Sequence, residues 1–200
     1  MKNSILFVLL VFVCSCADTS NTPINKLDDL SVESLERFVP IDYLETNSKV
    51  VFKNEIGEEI IFEITSSTTT ETSRIDDLEY QRELKSFSFR NDNLDYSLNI
   101  LMSAHYHDQN TVVKSIDCSL LTGINDGWIP MIRLDDAGNT RVGQREDMTL
   151  GQRTFNDVFS NLELTDSDFK FSKIFYNYEF GFVGFHDSEN QLWYLESYEK

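Results

Sequence analysis

Between Asp95 and His107 the side chains alternate almost without fault. Tyr96, Leu98, Ile100, Met102, Ala104 and Tyr106 share one parity. Asp95, Ser97, Asn99, Ser103, His105 and His107 take the other, with Leu101 the one apolar exception. A period of two belongs to a pleated strand with one face buried and one in water. A helix would scatter the same apolar residues around its whole circumference. A lone strand leaves its amides and carbonyls unpaired, so the rest of the chain must supply neighbours.

Neighbours are legible on both sides. Residues 48–53 and 59–65 flank Asn54-Glu55-Ile56-Gly57-Glu58, and Gly57 supplies the positive φ of a tight turn, which predicts a hairpin. The second arm runs into Ser66-Ser67-Thr68-Thr69-Thr70. That composition fits a linker, but threonine favours extended backbone, and an exposed strand end is the preferred reading. Residues 78–90 read as strand; Leu78, Tyr80, Arg82 and Leu84 share a parity that Phe87 and Phe89 abandon, so a bulge or register change is expected between them. A strand over 111–121 follows the turn 107–110. Trp128 to Leu134 contains Pro130, which suits an edge strand. Residues 150–162 stay ambiguous: Phe155, Phe159 and Leu162 form a helical stripe, while Thr154 to Phe159 also reads as strand.

Three short aromatic runs close the chain: 169–176, 180–185 and 191–196. They predict a meander in which Tyr176, Phe180, Phe182, Phe185, Trp193 and Leu195 carry much of the core. Each such side chain, fully buried, contributes about 1.5–3 kcal/mol. A short helix over 31–38, stopped by Pro40, competes with an extended reading of Phe38 to Ile41. The expected fold is mainly β: an antiparallel meander forming a two-layer sandwich or partly open barrel, with one or two short helices, over residues 30–200.

The N-terminus is of another kind. Lys2 precedes nine unbroken apolar residues, Ile5 to Val13. At 1.5 Å per residue this run covers roughly half of the ~30 Å hydrocarbon core, too short for a permanent span and right for a secretory signal. The run ends in Val13-Cys14-Ser15-Cys16, which resembles the box of bacterial lipoproteins. That resemblance implies cleavage after Ser15 and a thioether-linked lipid on Cys16. Residues 1–15 are then a signal peptide and 16–29 a polar tether. Ala17, where an Asp would mark inner-membrane retention, implies the outer membrane. An ordinary secretory signal, or a buried strand, is the alternative.

A second resemblance lies at the other end. Phe175-Tyr176-Asn177, Glu179 to Phe185 and Leu192-Trp193-Tyr194-Leu195 resemble the ending of uncharacterised lipoproteins of Bacteroidetes, and Thr149 to Val158 resembles their middle segment. It implies an antiparallel β domain on a lipid tether and carries no activity.

The chain has 17 Lys and Arg against 34 Asp and Glu, a net charge of −17. Such acidity argues against nucleic acid or anionic lipid headgroups as partners. The expected partners are a membrane, reached through Cys16, and a protein of the cell envelope. After cleavage Cys118 is the one remaining thiol, set among apolar residues and read as inert. His105 and His107 share a strand face, and H-x-H places two imidazoles about 6–7 Å apart, close enough for one transition metal if His186 or Asp108 supplies a third ligand. Solvent-facing histidines are the plainer reading. Asp135 to Asn139 has the flavour of a calcium loop without the alternating ligands of an EF-hand. Asp76-Asp77, Asp187 and Glu189 read as turn carboxylates. There is no G-x-S-x-G, glycine-rich phosphate loop, C-x-x-C or H-E-x-x-H, so no catalytic residue and no cofactor is expected. Three functions stay open: an envelope binding or accessory protein, a carrier of an apolar ligand in a sheet cavity, and a hydrolase with a dispersed site.

Overall fold

The structure is a computed structural model that describes residues 27–94, 96–122, 125–161, 171–187 and 189–199. The predicted signal peptide, Cys16 and most of the tether lie outside them.

Twelve strands are present among the described residues: β1 (Lys49–Asn54), β2 (Glu59–Ile75), β3 (Leu78–Arg90), β4 (Tyr96–Asp108), β5 (Thr111–Thr122), β6 (Asn125–Asp135), β7 (Thr140–Val142), β8 (Gln144–Leu150), β9 (Arg153–Ser160), β10 (Phe171–Asn177), β11 (Gly181–Asp187) and β12 (Leu192–Glu199). They form one antiparallel sheet in the order β7-β6-β5-β4-β3-β2-β1-β12-β11-β10-β9-β8. Every neighbour pair is consecutive in sequence except β1 with β12, which joins the two ends of the domain. The two sheet edges, β7 and β8, are consecutive in sequence with Gly143 alone between them. One residue cannot span an open twelve-stranded sheet, whose strands stand about 4.8 Å apart. The sheet therefore curls until its edges meet, and Gly143 turns the seam at φ 111°. The mainly β antiparallel fold is what the sequence predicts, and of the two architectures left open, sandwich or partly open barrel, the single curled sheet takes the second.

The inner face is filled. Leu98, Ile100, Met102 and Ala104 of β4 are wholly buried, as their alternation requires. Phe52, Phe62 and Phe185 meet edge to face, and Phe89 of β3 meets Phe182 of β11 across the interior, with centroids 5.2 Å apart. A 3-10 helix, Glu33–Phe38, lies against this face with Leu35 buried. Lys85 Nζ donates to Glu36 Oε1 (2.6 Å), Lys114 Nζ to Ser34 Oγ (2.9 Å), and Tyr176 Oη to the Phe38 carbonyl (2.7 Å). Across the seam Tyr178 Oη donates to the Gly138 carbonyl (2.5 Å).

Three expectations need correction and one open alternative is resolved. The helix over 31–38 is 3-10, because Val32 provides no side-chain cap and Leu35 alone of the helix is buried. Of the ambiguous 150–162 segment, Leu150 ends β8 and residues 153–160 form the strand β9, since pairing with β8 satisfies its backbone while Phe155, Val158 and Phe159 reach the core; Leu162 lies outside the described residues. No bulge interrupts β3: its register with β2 runs unbroken from Glu63↔Arg90 to Ile75↔Leu78. The parity of its apolar residues changes because the environment does, from barrel interior at Phe87 and Phe89 to a groove at Leu84 and Arg82. Finally β6, which carries Pro130, is not the outermost strand; β7 pairs with it at Arg133 and Leu134, beyond the proline. The short strands β7 and β8 were not legible at all.

The threonine run is strand, and it is exposed. The pairing of β3 with β4 stops at Leu84↔Ser103, while β2 and β3 run on as a two-stranded ribbon to Ile75 and Leu78. The N-terminal segment enters at this separation. The amides of Leu27 and Leu30 donate to the carbonyls of Glu79 and Gln81, and the Glu83 amide donates to the Leu30 carbonyl (2.9–3.0 Å). Backbone groups of β3 that lose β4 are thereby satisfied.

Candidate functional site

Where β3 and β4 part, the outer face of β3–β6 carries a groove of about 400 Å³. The register fixes its lining. Leu101 of β4 stands opposite Asp117 of β5, and Asp117 opposite Arg133 of β6; Ser103 stands opposite Ser115, and His105 opposite Val113. Arg82, two residues past the last β3–β4 pair, completes the β3 wall with Leu84. The short side chains of β4 and β5 form the floor, and the two arginines rise from the flanking strands. At the far end the ribbon and the β4–β5 hairpin touch again, through Gln109 Nε2 and Asp76 Oδ2 (3.3 Å).

Asp117 is 2% exposed yet ionisable. Burial pushes its carboxyl up from the ordinary range, opposed chiefly by Arg133. Arg133 donates through Nε (2.5 Å) and Nη2 (3.3 Å) to the two carboxylate oxygens, a bidentate pair. Ser115 Oγ lies 3.5 Å from Asp117 Oδ2 and 3.2 Å from Ser103 Oγ. On the other wall Arg82 donates through Nε (3.2 Å) and Nη2 (2.8 Å) to Glu71 Oε2 of β2. Burial and then the charges of Arg82 and Arg133 hold the His105 pKa below its usual value, against a weaker opposite pull from Asp117. The imidazole thus stands in a positive field, within a strongly acidic protein.

Both predicted histidines line this groove, His105 half-buried and His107 exposed at its mouth. The third ligands considered for a metal are elsewhere. His186 sits on β11, where Nδ1 is 2.9 Å from Asn190 Oδ1 and the ring packs on Phe175. Asp108 accepts the Asn110 amide (2.9 Å), and that bond holds its carboxyl below the ordinary range. Among the described residues no three His, Cys, Asp or Glu side chains gather as a metal site. Asp135 accepts the Ala137 and Asn139 amides, and Asp187 accepts those of Glu189 and Gln191 together with Trp193 Nε1; these carboxylates organise their own turns. Cys118 is buried among core residues, and desolvation pushes its thiol well up.

The groove holds serine, histidine and aspartate together, the elements of nucleophilic catalysis, but not in its order. Asp117 hydrogen-bonds Arg133 and Ser115 rather than an imidazole, so it does not orient a base. Arg82, Ser115, Asp117 and Arg133 escaped the sequence reading. The one signal was a charged residue in the middle of each of two neighbouring apolar strands, Asp117 and Arg133, on what proves to be the outward face.

No family model, curated protein or solved structure matches the chain. Among the described residues no helix is long and apolar enough to cross a membrane.

Proposed function

We propose that this chain is a lipid-anchored binding protein of the bacterial cell envelope, tethered through Cys16, with its ligand site in the groove on the outer face of β3–β6. The single observation that carries the reading is that groove: a concavity of about 400 Å³, lined by convergent polar groups together with Leu84, Leu101 and Val113. Its volume is in the range of small-molecule sites, roughly 300–1,000 Å³. The interior of the barrel is a poorer home for a ligand, because Phe52, Phe62, Phe89, Phe182 and Phe185 fill it. The anchor rests on Val13-Cys14-Ser15-Cys16 after the apolar run, and the likeness of the C-terminal meander to Bacteroidetes lipoproteins agrees with it. A multi-chain lipid on Cys16 holds a domain stably at a bilayer.

Two measurements test the two halves. Cys16→Ala is expected to move the protein from the membrane to the soluble fraction, with loss of the lipid mass; an unmodified Cys16 in the wild type overturns the anchor. Native mass spectrometry of protein taken directly from cells is expected to show a bound small molecule that Ser103→Trp, which fills the groove, eliminates. Retention of that adduct by the filled variant overturns the groove.

A further inference from the structure

Resting on the groove as the ligand site, we propose that its ligand carries an oxyanion, a carboxylate or phosphate, seated at His105 between Arg82 and Arg133, with apolar atoms of the same ligand against Leu84, Leu101 and Val113. The charges are distributed against the composition of the protein. Acidic residues outnumber basic ones two to one, 34 to 17. Yet among the described residues the groove is lined by two arginines and two histidines against one carboxylate, Asp117. Charged and titratable groups face His105 from every strand around it: Arg82 on β3, His107 on β4, Asp117 on β5 and Arg133 on β6, with Glu71 of β2 behind Arg82.

Neither carboxylate is free to repel a ligand: Asp117 lines the groove beside Arg133, and Glu71 stands behind Arg82. Asp117 is beneath the surface, held by Arg133 and Ser115, and Glu71 is on the ribbon side of Arg82. Their arginines are fixed in place by these pairs, which lowers the entropy lost on gripping a ligand. An anion at His105 is attracted by both guanidinium charges in a partly desolvated cleft, where such attraction exceeds that at an open surface. The hydroxyls of Ser103 and Ser115 supply donors on the floor. A protonated His105 adds a third positive charge, so the ligand and the proton favour one another.

The experiment uses the full-length lipidated protein in a neutral maltoside detergent. Inorganic phosphate, hexanoate and the uncharged isostere hexanamide are titrated while the His105 ring is followed by NMR across pH. Hexanoate is expected to shift the His105 and Val113 resonances, to raise the His105 pKa, and to bind more tightly as pH falls through that titration. Arg82→Gln should weaken it at least ten-fold. Since Arg133→Gln alone strands a buried Asp117, the double change Asp117→Asn with Arg133→Gln serves on that side and should weaken it similarly. Equal effects of phosphate and hexanoate support an oxyanion site in general; an effect of hexanoate alone supports a carboxylate with an apolar tail. Hexanamide binding as tightly as hexanoate overturns the anion assignment and leaves the groove as a site. Silence from both anions, or hexanoate binding untouched by Arg82→Gln and by the double variant, also overturns it.

Discussion

His105 binds a proton less readily in the folded protein than in the unfolded chain, where its pKa is near 6.5. Unfolding therefore takes up a proton between the lowered native value and 6.5, and the group withdraws stability as pH falls through that window. His105→Gln, which cannot titrate, should lose less stability than the wild type between pH 7.5 and pH 5 in urea denaturation; parallel losses would show that burial and the neighbouring arginines do not lower the imidazole's pKa. Asp117 has the opposite sense. Its carboxyl is pushed up, so its ionised form withdraws stability as pH rises through and above the ordinary carboxylate range, to the extent that Arg133 fails to compensate. At this scale the sequence showed His105 and His107 on one face but not their company. Arg82, Asp117 and Arg133 come from three other strands, and only register brings them together.

Among the elements, the β2–β3 ribbon is the most unusual. Beyond Leu84 it has lost β4, and its outer stretch is exposed serine and threonine with surface ion pairs such as Arg74 with Glu79. Such pairs, screened by water, add little. Its turn places Asp76 and Asp77 at φ 48° and 66°, the left-handed pair of a type I′ hairpin. Aspartate tolerates this conformation and glycine prefers it, by about 1 kcal/mol. Asp77→Gly should slow amide exchange at the ribbon tip roughly five-fold, the rate equivalent of about 1 kcal/mol; unchanged exchange would mean that the turn is not the weak point. The pattern of alternation found most strands correctly, including the threonine run, because burial on one face imposes it. Where it failed, at β7, β8 and the supposed bulge in β3, the strands are short or mostly exposed, or the buried face changes along the strand.

For the whole molecule, the decisive pairing is β1 with β12, from Lys49↔Glu199 to Asn54↔Trp193. It makes the last strand an internal one. Deletion of residues 192–200 removes the strand between β1 and β11 together with Trp193 and Leu195 of the core, and should abolish cooperative thermal unfolding by circular dichroism. A retained sharp transition would refute the closure of the meander through β12. A pairing across some 140 residues also predicts slow folding, because loop closure precedes its reward.

The sequence by itself determined that this chain makes strands, which face of most of them is greasy, and that its N-terminal run is distinct from the folded domain. Those are local properties, written as periodicity, turn residues and a short apolar stretch. Tertiary structure alone decided that the sheet curls until β7 meets β8, that β3 leaves β4 after Leu84, and that a groove with two arginines opens there. Register and curvature arise from contacts between residues far apart in the chain, and no window along the sequence contains both partners.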